Sequence, residues 1–156
     1  MVENPTANIE ITINDNLENN TIFDSINNII ENYKEKIQDG AEKGLNELAE
    51  QVATEQQNSI SSGGHIVTGE LYNSITANVN GLSATIGSTL NGYSPSVIEY
   101  GRGEVYPVTA SCLHFVSDGK EYFVKSVSAY EGDPYVAPSI EYAKSQAKEI
   151  ILSNIF

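Results

Sequence analysis

The chain has 156 residues, 40% of them apolar, with a formal net charge of −13 and a pI near 4.3. This length and apolar content suit one domain over 1–156 with its own core and exclude a disordered tail. No run approaches the roughly 18 apolar residues of a membrane span, and so acidic a surface repels phosphate backbones, which argues against sequence-specific nucleic-acid binding.

The charge is uneven: residues 1–60 hold 12 acids and 3 bases, and residues 61–156 hold 9 acids and 5 bases. Met1-Val2-Glu3-Asn4-Pro5 has neither a basic region nor an apolar run, so no secretion signal is expected. Cys112 is the sole cysteine, so no internal disulfide forms, and its strand-like surroundings suggest a small buried apolar residue.

Ile9, Ile11 and Ile13 alternate with polar residues and predict a half-buried strand over 8–13, ended by Asn14-Asp15-Asn16. Thr21 is a candidate helix cap, with Asp24 in the first turn. Ile22, Ile26, Ile29, Ile30, Tyr33 and Ile37 then recur at spacings of three and four, and Leu45, Leu48 and Val52 continue the stripe. The pattern fits one long helix, or a short helix near 21–30 followed by a long one near 32–58. Gly40 and Gly44 each weaken it by about 1 kcal/mol relative to alanine. Ser59–Gly64 should end it, since paired glycines accept left-handed backbone.

Leu71, Asn73, Ile75, Ala77 and Val79 alternate as a strand. Asn80-Gly81 signals a tight turn, and Leu82, Ala84 and Ile86 return, so 72–87 reads as a hairpin. Tyr93–Gly101 is a strand or, preferably, a short helix, with Pro95 early and Gly101 at the stop. Arg102-Gly103-Glu104 is an exposed loop. Pro107 marks Val105–Val108 as a short edge strand. Cys112–Val116 and Glu121–Val127 are strands around an Asp118-Gly119 turn. Asp133–Pro138 leads into a last helix carrying Ile140, Ala143, Ala147, Ile150 and Ile151. The expected fold is α+β: a mostly antiparallel sheet of five or six strands packed against a long N-terminal helix and a C-terminal helix.

Catalytic patterning is weak. His65 stands alone in a glycine-rich loop and reads as a surface residue. His114 should face away from Leu113 and Phe115, as a solvent-facing or interface residue. Cys112 and His114 would share a strand face, but nothing supplies an orienting carboxylate. Glu99 and Glu104 form a carboxylate pair only in the loosest sense. No catalytic, cofactor or metal residue is assigned, and an enzyme is not expected. Tyrosine is the unusual feature: nine are present, and Tyr93, Tyr100, Tyr106, Tyr122, Tyr130 and Tyr135 crowd the second half. Tyrosine favours interfaces because it joins apolar area to a hydrogen-bonding tip.

Four segments in order carry a resemblance: Thr68-Gly69-Glu70-Leu71-Tyr72-Asn73-Ser74-Ile75, then Ile86-Gly87-Ser88, then Tyr93–Gly101 ending Val97-Ile98-Glu99-Tyr100-Gly101, then Pro134-Tyr135-Val136-Ala137-Pro138. This set resembles the head–tail joining, or tail-completion, proteins of long-tailed bacteriophages and related proviruses. The motif positions are Thr68, Gly69, Leu71, Ser74, Glu99, Gly101, Pro134 and Pro138. His65 and Val67 replace the family's usual proline and aspartate, one residue is added before Glu99, and the N-terminal helices are less basic.

The resemblance implies a structural virion protein of the neck or tail, made in the host cytoplasm. It would form a hexameric ring at the head–tail junction or the head-proximal end of the tail. Its partners would be itself, head connector or stopper proteins and the tail tube protein. DNA would pass the channel without sequence-specific contact, and neither a membrane nor a cofactor is implied. Tyr93, Tyr100, Arg102, Glu104 and Tyr106 are candidate subunit contacts around the glycine-rich loop. The alternative is a non-enzymatic cytosolic binding module of a mobile element, using its acidic helix and tyrosine-rich face.

Overall fold

A computed structural model describes residues 20–91, 93–117 and 119–156. The expected strand over 8–13 lies outside the described residues. The chain divides into two compact units, Met1–Ile37 and Gln38–Phe156.

Helix α1 runs Asn20–Ser62 without a break, so the one-helix alternative holds. No proline interrupts it, and Thr21, expected as its cap, lies inside it. In the first unit its described residues from Ile22 to Ile37 are exposed. In the second unit α1 becomes the spine of the core. Its end follows the glycine expectation: the Gly63 amide donates to the Ser59 carbonyl at 2.9 Å and the His65 amide to the Ile60 carbonyl at 3.0 Å.

The next segment departs from the strand expectation. Glu70–Ser74 is a one-turn helix, α2, and not the start of a strand. Gly69 adopts φ 78°, which turns the chain, and its carbonyl accepts the Asn73 amide at 2.9 Å. That local bond outweighs the apolar alternation of Leu71 and Asn73. The hairpin then forms from β1 (Ile75–Asn80) and β2 (Ser83–Ser88), with Val79 opposite Ala84. Its two turn residues are Gly81 and Leu82, so Leu82 sits at the tip and not in the returning strand.

Helix α3 (Tyr93–Tyr100) matches the preferred reading of that segment. Beyond it the edge strand expected over Val105–Val108 reduces to a single bridge, Val105 to Val127, beside another from Arg102 to Tyr130. Pro107 has no N–H to extend a ladder there. Strands β3 (Leu113–Ser117) and β4 (Lys120–Val124) form the second hairpin, with Ser117 opposite Lys120. Cys112 falls just outside β3 and is only half-buried, against the buried strand position expected. The β3–β4 hairpin is exposed along most of its length and held by cross-strand rings: Phe115 on Tyr122 with centroids 5.4 Å apart, and His114 on Phe123 at 4.5 Å. Helix α4 (Val136–Ile155) closes the described fold.

The α+β class and the two flanking helices are therefore as expected, but the sheet is not. Among the described residues there are two separate two-stranded antiparallel sheets and not one of five or six strands. The cause is the stretch between the hairpins, where α3 and a glycine- and proline-punctuated loop stand in place of ladder-forming strands.

The core has two clusters. Ile60, Leu71, Ile75 and Tyr135 form one, joined by Ile98 and Val136. Leu48, Val52 and Ile150 form the other, joined by Ile86, Ala143 and Ala147. Between α1 and α4 the backbones come close at the two glycines. A Cβ on Gly44 would lie 2.7 Å from Ile151 Cα, and one on Gly40 would lie 2.6 Å from the Asn154 carbonyl oxygen. Their helix-weakening cost is the condition for this close crossing.

Candidate functional site

The most constrained polar arrangement is the junction of α3 and α4. A helix leaves its first four backbone N–H groups without intrahelical partners. At α4 these belong to residues 135 to 138. Tyr135, the residue before the helix, has no side chain able to cap it. Glu99 supplies the acceptor from α3: its Oε2 takes the Tyr135 and Val136 amides at 2.9 and 2.8 Å, and its Oε1 takes the Ala137 amide at 3.2 Å. Pro138 has no N–H. One carboxylate and one proline thus settle all four groups, and the negative charge sits at the positive end of the α4 dipole. Glu99 is only 9% exposed.

The backbone around Glu99 tightens the same junction. The Asp133 amide donates to the Ile98 carbonyl at 2.7 Å, and the Gly101 amide to the Val97 carbonyl at 2.7 Å, closing α3. Gly101 has φ 74°, and a Cβ there would run into the main chain of Tyr130 and Glu131. The Arg102 and Tyr130 backbones exchange both hydrogen bonds, at 2.7 and 2.9 Å.

The first two motif segments are joined by hydroxyls. Ser74 is buried; its Oγ lies 2.7 Å from the Leu71 carbonyl and 2.8 Å from Ser88 Oγ. The Ser74 carbonyl accepts from the Thr89 amide and hydroxyl, at 3.0 and 3.2 Å. Thr68 is exposed, and its Oγ1 accepts the Glu70 amide at 3.4 Å. Pro134 is exposed at the turn into α4. Leu71 from the first segment packs with Tyr135 from the fourth in one core cluster.

The candidate contact residues divide. Tyr100 and Tyr106 are 81% and 60% exposed. Tyr93 opens α3, and its side chain lies outside the described residues. Arg102 is turned on its own chain: Nη1 donates to the Ser128 carbonyl at 2.9 Å and the Gly103 carbonyl at 3.1 Å, tying the loop to the segment after β4. Glu104 is exposed and accepts hydrogen bonds from Tyr106 and Ser126, which hold its carboxyl below the usual value; the same bond to Glu104 raises the Tyr106 phenol. Glu99 and Glu104 are therefore not a working pair. One is a buried cap and the other a loop acceptor.

The histidines are also paired. His65 Nε2 lies 2.9 Å from Asp133 Oδ2, so His65 is a partly buried tie to the segment before α4 and not a free surface residue. His114 is exposed as expected, with its Nε2 3.6 Å from Glu121 Oε2. Among the described residues no cluster of three His, Cys, Asp or Glu side chains is placed to hold a metal, and no helix is long and apolar enough to cross a membrane.

Sequence reasoning missed the role of Glu99. A usable signal was present: a helix beginning after Pro134-Tyr135 has no Ser, Thr, Asp or Asn at its cap, so an acceptor had to come from elsewhere. Comparison with protein-family models, curated proteins and solved structures finds no match to this chain.

Proposed function

We propose that this chain is a structural virion protein of a long-tailed phage or provirus, forming a ring at the head–tail junction or the head-proximal end of the tail and joining the tail to the DNA-filled capsid. The observation that supports this is the convergence of the four motif segments. Leu71 meets Tyr135, Ser74 meets Ser88, and Glu99 caps the helix that Tyr135 precedes. Segments far apart in sequence thus maintain one rigid body. Their most constrained residues act on the fold and not on a substrate.

A ring subunit needs such a body together with exposed contact groups. Tyr100 and Tyr106 supply apolar area and hydroxyls beside a loop held in place by Arg102. The charge of −13 suits a channel that DNA passes without sticking, because like charges do not hold the phosphate backbone. The role is non-catalytic, and its partners are further copies, the head connector or stopper and the tail tube.

Electron microscopy of particles made without this protein tests the reading. Filled heads and free tails, unjoined, are expected, and normally joined particles would overturn it. The exposed apolar face of α1 also favours a second reading, a cytosolic binding module of a mobile element. Flanking genes that encode no capsid, portal or tail proteins would favour that one.

A further inference from the structure

The described part of Met1–Ile37 is a single stretch of helix, the first part of α1. Its composition favours a helix poorly: over 20–37, five residues are isoleucine and four are asparagine. Helices of that kind are held by packing an apolar face. Yet the seven apolar residues over 22–37 are each 46–65% exposed. At 3.6 residues per turn they fall within about 120° of the helix circumference, while Asp24, Glu31 and Glu35 take the opposite face. Single exposed apolar residues are ordinary, but a contiguous stripe of seven marks a contact.

The spacing within the stripe says what kind of surface fits it. Phe23, Ile26, Ile30, Tyr33 and Ile37 step by three and four, the seam along which helix packs on helix in a heptad repeat. Ile22, Ile26, Ile29 and Tyr33 step in the same way and make a second seam, about 50° round the helix from the first. The surface also has a receptacle of the matching shape. A hollow of about 250 Å³ lies between Ile29, Asn32, Tyr33 and Lys36. Those four stand at i, i+3, i+4 and i+7, the diamond that receives one side chain of a facing helix. A membrane surface fits less well. Helices that lie on membranes carry a basic polar face, and the polar face here is acidic.

We propose that this stripe is covered by the same stripe of further copies, in a bundle of more than two helices. Each copy supplies both the seam and the receptacle, so the surface is its own complement. Two seams side by side need a neighbour on each flank. Isoleucine at both alternating positions of a seam, as at Ile26 and Ile30, favours three or four strands over two. The seven side chains present on the order of 600 Å² per copy, within the roughly 600–1,000 Å² per partner of a specific interface. The acids stay on the outer face, so like charges are not buried. The contact goes beyond the joining role and holds under either functional reading.

Sedimentation of the full chain over a range of concentrations tests the contact. The wild type should associate reversibly beyond dimers. Ile26→Ala with Ile30→Ala removes contact area while raising helix propensity, so it should raise the half-association concentration at least tenfold without breaking the helix. Ile30→Asp should be monomeric. Asn28→Asp adds the same charge on the polar face and should associate like wild type. Ile140→Asp, which removes an exposed apolar residue from α4, should also behave as wild type. A wild type that stops at monomers or dimers, or an alanine pair that associates unchanged, would overturn the proposal. So would loss of association in Ile140→Asp, which moves the contact to α4. A monomeric wild type that co-sediments with phosphatidylglycerol vesicles would assign the stripe to a membrane surface instead. Such failures leave the joining role to the microscopy test, and failure there leaves this contact standing.

Discussion

Glu99 and Tyr135 are joined by a 2.9 Å bond from the Tyr135 amide to the Glu99 carboxylate, across 36 residues of sequence. The same carboxylate takes the next two amides, so α3 and α4 are fixed at one point. Glu99→Ala would strand three N–H groups in a largely buried junction. The expected loss is about 2–4 kcal/mol, from charge-assisted bonds and unpaired donors. Glu99→Gln keeps an acceptor without the charge and should lose roughly half as much. Urea denaturation followed by circular dichroism measures both; an Ala variant within 0.5 kcal/mol of wild type, roughly the spread of neutral surface changes, would refute the cap as a stabilising element.

Gly44→Ala sets two effects against each other. Helix propensity alone predicts a gain of about 1 kcal/mol. The new Cβ would stand 2.7 Å from Ile151 Cα, which is backbone and cannot swing aside, so α4 must move. Overpacking costs about 1–3 kcal/mol or more, and the net outcome is a lower melting temperature. A raised one would mean that α4 gives way freely.

Tyr135 makes stability depend on alkaline pH. Burial, then the Glu99 charge, then Tyr100 raise its phenol above the ordinary 10.0. A pKa raised in the folded state contributes stability that is complete below the unfolded value and is lost as pH rises through the folded one. Urea midpoints should therefore fall above about pH 10, and fall less steeply in Tyr135→Phe. Equal slopes in the two proteins would assign the loss to other groups.

Glu104 and Tyr106 provide a local readout of the loop. The bond from Tyr106, and then that from Ser126, lower the Glu104 pKa, so Tyr106→Phe should raise it toward 4.5 in a carboxyl NMR titration. Glu104→Gln should return the Tyr106 phenol toward 10.0. By the same linkage the pair favours the folded loop above the ordinary carboxylate pKa, and this fades as pH falls through the lowered one. An unmoved Glu104 titration in Tyr106→Phe would show that the bond is not kept in solution.

The sequence by itself determined the elements whose cause is local. Spacings of three and four specified helix through this region, and the structure decided that it is one unbroken helix, Asn20–Ser62. Asn80-Gly81 and Asp118-Gly119 located two hairpins to within a residue. The order of the four motif segments was legible too, but not the reason for it. That lay in contacts between distant residues. Only the tertiary structure assigned Glu99 to the N–H groups of α4, Ser74 to Ser88, and the glycines of α1 to the backbone of α4. It likewise replaced one broad sheet with two hairpins, because Gly69 and Pro107 divert segments whose side chains alternate like strands. A periodic pattern reports which face of an element is apolar. What that face meets is decided by the rest of the chain, and the apolar residues of the Ile22–Ile37 stripe of α1 stay 46–65% exposed.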